Sequence, residues 1–147
     1  MKTRVVVGIN DGDYASPLWW AIHAFSLDAT SLELIHCVTG RLSTEMPYSN
    51  DDVIAAGRQI VEQAVAFSRD LGASVVAEVR EGFAGEILVA CSKDADHLVI
   101  GSSRVRHMFQ APGMSVVTHC VRHAICPLTI VPPRDTAKEF DGVFRRT

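Results

Sequence analysis

The residues best suited to chemistry lie in one stretch, Gly101-Ser102-Ser103-Arg104-Val105-Arg106-His107-Met108-Phe109-Gln110-Ala111-Pro112-Gly113-Met114-Ser115. It carries two arginines, one histidine and three serines but no acid. Guanidinium groups grip phosphate oxygens with paired N–H donors, and a helix opening at Ser115 would aim unpaired backbone N–H groups at an anion. The stretch reads either as a phosphate cradle or as a solvated basic loop that binds nothing. No Walker-type lysine follows its glycines, and no G-x-G-x-x-G follows the first apolar run. A second stretch, Asn10-Asp11-Gly12-Asp13-Tyr14-Ala15, is acidic at its start and has a glycine to turn on.

Two other constellations carry reactive side chains. His107 beside Ser102 and Ser103 is the one conceivable nucleophile and base set, but nothing local orients the imidazole, so His107 reads as a surface residue. His119-Cys120-x2-His123-x2-Cys126 has spacings close to those of a metal site. On a helix, His119 and His123 share a face while Cys120 turns away and Cys126 falls past the helix end. The segment therefore reads as a helix burying Cys120, with both histidines toward solvent or a partner, and neither a metal site nor a catalytic residue is assigned.

Positioning these groups requires a fold, and composition bounds it. The chain has 147 residues, 48% hydrophobic and 21% charged, with 14 basic against 17 acidic side chains and a formal net charge of −3. That length supports one self-sufficient core, and the composition excludes disorder. The mild acidity argues against nucleic acid as a partner. It also conceals an asymmetry, because residues 97–134 contain Arg104, Arg106, Arg122 and Arg134 and no acid. No run approaches the roughly 20 apolar residues that span a bilayer, and Met1-Lys2-Thr3-Arg4 does not open a signal peptide. A cytoplasmic protein with no membrane partner is expected, with Cys37, Cys91, Cys120 and Cys126 as buried thiols.

Five apolar runs punctuate the chain: Val5 to Ile9, Leu32 to Val38, Val75 to Val79, Leu98 to Ile100 and Leu128 to Val131. Nearly continuous and β-branched, they read as strands covered on both faces. Between them lie helical spacings. Ser16 is the expected N-cap of the first helix, with Pro17 at its first position and Leu18, Ile22 and Phe25 on one stripe. Val53, Gly57, Ile60, Ala64, Phe67 and Leu71 mark the second, which Gly72 ends. Ala84 to Ser92 and Ser115 to Ala124 give two more. Trp19 and Trp20, about 100° apart on the first helix, cannot both face the core. Strict β-α alternation predicts an α/β fold: a single-domain, open parallel five-stranded sheet with helices on both faces and right-handed crossovers. The domain is expected over residues 1–133, followed by a polar tail, 134–147, in which only Phe140, Val143 and Phe144 are fit to dock. In such a sheet ligands sit beyond the carboxyl ends of the strands, where the two loops above would lie.

Several segments in order resemble the universal stress protein family: Val6-Val7-Gly8-Ile9-Asn10-Asp11-Gly12, Leu71-Gly72-Ala73 with Val79 to Ile87, Ala95-Asp96-His97-Leu98-Val99-Ile100-Gly101-Ser102-Ser103, and Cys126-Pro127 before Leu128 to Val131. The resemblance covers residues 4 to 132. It implies a Rossmann-like domain, similar to the adenine nucleotide alpha hydrolases, with strand order 3-2-1-4-5. It further implies a homodimer formed through the last strand and a binding or regulatory role in the stress response. Many members bind ATP through G-x2-G-x9-G-[ST], which falls on Gly101, Arg104, Met114 and Ser115, so two motif glycines are replaced. The adenine-facing aspartate falls on Asp11 or on Asn10, and Val38 matches a position lining the base. The implied nucleotide site is thus Asn10, Asp11, Gly12, Val38, Gly101, Ser102, Ser103, Arg104, Arg106, Ser115 and Val116, with ATP as ligand and Mg2+ only alongside it. A dimeric module that binds no ATP and a slow ATP hydrolase are the alternatives.

Overall fold

The computed structural model describes residues 2–10, 12–38, 50–102 and 115–133. Five strands, β1 (Thr3–Ile9), β2 (Thr30–Val38), β3 (Val75–Glu81), β4 (His97–Gly101) and β5 (Leu128–Val131), alternate with α1 (Ala15–Ala24), α2 (Asn50–Asp70), α3 (Ala84–Ser92) and α4 (Val116–His123). The strands form one sheet in the order β3-β2-β1-β4-β5, and every pairing is parallel. The expected class and order are both found. The tail from residue 134 lies outside the described residues.

Each face of the sheet has its own core. Val5, Val7, Leu34 and Val99 point toward α1 and α2, where Leu18, Ile22, Val61 and Ala64 cover them. Val6, Ile35, Leu98 and Ile100 point the other way, toward Leu88 of α3 and Cys120 of α4. Continuous apolar runs in β1 and β4 follow from this double cover. β3 departs from the expectation of two covered faces. Val75, Ala77 and Val79 pack against the first core, but Val76 on the opposite face is 67% exposed. β3 is the edge strand, and this face of it carries a Glu78–Arg80 ion pair at 2.6 Å, with Arg80 Nη1 also donating to Cys91 Sγ of α3 at 3.4 Å. It also runs two residues further than expected, to Glu81.

Two helix ends show how local chemistry sets boundaries. α2 stops as expected at Gly72, whose φ of +83° no residue with a side chain adopts readily. Gly72 N–H donates to the Arg69 carbonyl at 3.0 Å and Ala73 N–H to that of Ser68 at 2.9 Å, the paired bonds of a Schellman closure. α1 corrects the sequence expectation. The carboxylate of Asp13, not Ser16, accepts a first-turn N–H, that of Ser16 itself at 3.0 Å, and Ser16 is buried. Pro17 sits third in the helix, where its missing N–H would have had no intrahelical partner. The tryptophans divide as the geometry demands: Trp19 is buried and stacked on His23 at 4.3 Å, and Trp20 packs edge-on against Phe25 at the margin of the first core.

All four cysteines are free and line the second core, Cys91 and Cys120 buried, Cys37 and Cys126 half-buried. Burial pushes the thiols of Cys37 and Cys120 up to about 11. An unfolded thiol ionises at lower pH, so above about pH 9 the unfolded state gains ionisation free energy that the folded state does not match until about pH 11. Stability therefore falls across that window, and the fall is expected to be smaller in Cys37→Ala than in the parent when urea unfolding is compared at about pH 8 and about pH 10.5. Equal losses in parent and variant would refute it.

Candidate functional site

The sheet order reverses between β1 and β4. Their ladder ends with Gly8 opposite Ile100, and the chains then part: β1 leads to α1 on one face, while β4 leads toward α4 on the other. The divergence lies at the carboxyl edge, where an open parallel sheet takes its ligands.

On the β1 side, Asn10 folds back on its own loop. Its Oδ1 accepts from Gly12 N–H at 2.9 Å and Asp13 N–H at 2.8 Å, which curls the chain toward the Asp13 cap of α1. The oxygen that would accept an amino group from a base is thus engaged within the protein. Behind the loop, His36 of β2 is 6% exposed, and its Nδ1 donates to the Ile9 carbonyl at 3.0 Å. A carbonyl can only accept, so Nδ1 carries the hydrogen. Neither the tie made by His36 nor the cap made by Asp13 was anticipated from the sequence, although a polar residue inside an apolar strand run is itself a signal of a specific partner.

On the β4 side, Gly101 lies over the first turn of α1 and beside the end of β5. A Cβ there would meet Pro17 Cδ and Cγ at 3.6 Å and the Val131 carbonyl at 3.8 Å, ordinary contacts. Among the described residues nothing crowds the backbone of Gly101. Ser102 N–H donates to the Val131 carbonyl at 2.9 Å, fixing the start of the loop to β5. Ser115 caps α4, its Oγ accepting from Thr118 N–H at 3.4 Å, and no acid occupies the first turn. Val116, half-buried, packs against the second core.

Asn10, Gly12, Gly101, Ser102 and Ser115 accordingly border the carboxyl edge, two strand ends and two helix starts together. Val38 ends β2 in a packing role, since its Cγ1 abuts Gly57 of α2 and its carbonyl accepts from Gly82 N–H at 2.9 Å. Asp11, Ser103, Arg104, Arg106, His107 and Met114 lie outside the described residues. Among the described residues no three His, Cys, Asp or Glu side chains converge as a metal cage. Cys120 points into the core, away from the His119–His123 pair, so that the sequence pattern does not close on one point. No helix of the described residues is long and apolar enough to cross a membrane.

A sequence model of the universal stress protein family matches residues 1–132. The chain belongs to the universal stress protein family. Solved structures of universal stress proteins have the same fold. That of Archaeoglobus fulgidus superposes with a TM-score of 0.67 at 18% identity, over 89% of this chain and 94% of that one. Its complex with dAMP gives 0.64 at 20% identity, over 89% and 98%. An Arabidopsis thaliana member with AMP bound gives 0.61 at 19% identity, over 91% and 94%. Curated protein sequences contain no significant match to the chain.

Proposed function

We propose that this universal stress protein is a non-catalytic, homodimeric adenine-nucleotide receptor of the cytoplasm that regulates partners in the stress response. The observation that carries the reading is the parting of β1 and β4 at the carboxyl edge, bordered by Gly101, Ser102 and the Ser115 cap of a helix with no acid in its first turn. Other family members have been solved with AMP, dAMP and cAMP, which supports the same ligand class here.

The adenosine end of the site is the better kept. With Asn10 Oδ1 engaged by its own loop, Asp11 is the residue we assign to the adenine amino group. At the phosphate end, Arg104 and Met114 replace motif glycines. Arg104 and Arg106 supply charge-assisted contacts in place of lost backbone ones, and Ser103 and Ser115 add hydroxyls. ATP would bring Mg2+ with it. Hydrolysis is not expected, because the assigned residues include no base aimed at a γ-phosphate and no metal-holding carboxylate.

Assembly through β5 is part of the reading. Leu98 N–H bonds the Pro127 carbonyl and Ser102 N–H that of Val131, so alternation along the strand turns the N–H and C=O groups of Leu128 and Ile130 outward. An edge of that kind pairs with a copy of itself across a two-fold axis.

Titration calorimetry with AMP and with ATP and Mg2+ tests the ligand. Micromolar binding is expected, weakened about tenfold or more for ATP by Arg104→Ala, the loss of one charged hydrogen-bonding group. No heat at millimolar nucleotide would overturn nucleotide binding, and phosphate release above background would replace a receptor with a hydrolase.

A further inference from the structure

We propose that His119 and His123 form a two-point chelate for a borderline divalent transition cation, of the class of Zn2+, Ni2+ or Co2+, on the exposed side of α4. The inference is independent of nucleotide binding.

Residues four apart on a helix stack one turn above the other. Here the two imidazole centroids stand 4.7 Å apart with the planes tilted by 49°. Two imidazole nitrogens bound to one tetrahedral ion at roughly 2.0–2.1 Å stand about 3.3 Å from each other, a separation rings so placed reach by rotation about their own side-chain bonds.

The pair is partly preorganised. α3 approaches α4 at Gly85, where an added Cβ would come within 3.0 Å of His119 Cβ. Phe83 meets the His119 ring edge to face, with centroids 5.4 Å apart. One ligand is thus seated by packing, and the other, His123, is exposed on the last turn. Among the described residues no hydrogen bond engages either imidazole. Two ligands make a chelate completed by water, not a cage. Imidazole selects borderline cations and leaves Mg2+ and Ca2+, which prefer oxygen, unbound. Exposed Arg122 beside His123 is a like charge, but solvent screens it.

The test titrates the full chain with Zn2+, and with Co2+ as a spectroscopic probe, under reducing conditions in a non-chelating buffer. One ion per chain is expected, with affinity about 100-fold lower in His123→Ala, because losing one arm removes the effective concentration supplied by the other. His119→Ala is expected to do the same. His123 is exposed, so its variant retains the fold, and an unchanged melting temperature verifies that. His23→Ala should leave binding untouched, and Mg2+ should give no heat. Unaltered affinity in His123→Ala, or a sulfur-to-Co2+ charge-transfer band revealing cysteine ligation, would overturn the proposal.

Discussion

Gly57→Leu is expected to lower the unfolding free energy by about 3 kcal/mol, at the upper end for overpacking a well-filled site. α2 lies so close to the sheet at this point that even a Cβ would come within 2.9 Å of Val38 Cγ1 and 3.2 Å of Val79 Cγ1. Both neighbours are valines, branched at Cβ and confined to few rotamers, and neither can swing aside. The helix must therefore lift from the ends of β2 and β3. Gly57→Ala separates the contributions: alanine regains about 1 kcal/mol of helix propensity, which offsets part of the overlap and leaves a smaller loss. Urea unfolding of the two variants measures both effects. A leucine variant as stable as the parent would mean that α2 does not seat here.

Ile130→Pro is expected to convert the proposed dimer to monomer while leaving the monomer folded. The Ile130 N–H points away from β4, so proline at this position removes no bond of the β4–β5 ladder. It does remove a donor from the outer edge and places a ring where a second copy would pair. Sedimentation at tens of micromolar distinguishes the species, and near-ultraviolet circular dichroism reports whether the fold survives. If the parent itself sediments as a monomer, assembly through this edge is refuted. A dimeric proline variant would place the interface elsewhere on the molecule.

How much of this was legible in the residues differs by element. β1 and β4 announce themselves because both of their faces are buried, and an apolar run is the one pattern that satisfies such a position. α2 does so by its stripe and by Gly72, whose positive φ is a backbone demand and so a local one. β3 misleads, since Val76 suggests a second covered face but is exposed, and only the strand order, which leaves β3 at the edge, decides that. The alternation of elements located the point where the strand order reverses, but the tie between His36 and Ile9 joins residues 27 apart in the chain and has no local signature. The choice between Asp13 and Ser16 as cap turned on whether the helix began at residue 15 or 17. That margin is within the fraying of any helix end.

The sheet order also has a meaning in time. Of the five strands β1 is the earliest in the chain, and it is the middle strand of the finished sheet. Its partner on one side, β2, follows after one short helix, but its partner on the other is β4, and the Arg4 N–H waits for the carboxylate of Asp96, 92 residues later. Until then a strand of three valines and an isoleucine holds half its backbone groups unmatched. Closing that loop is the entropic toll of a central first strand, and it makes translation itself a period of exposure for the segment that the mature protein buries most deeply.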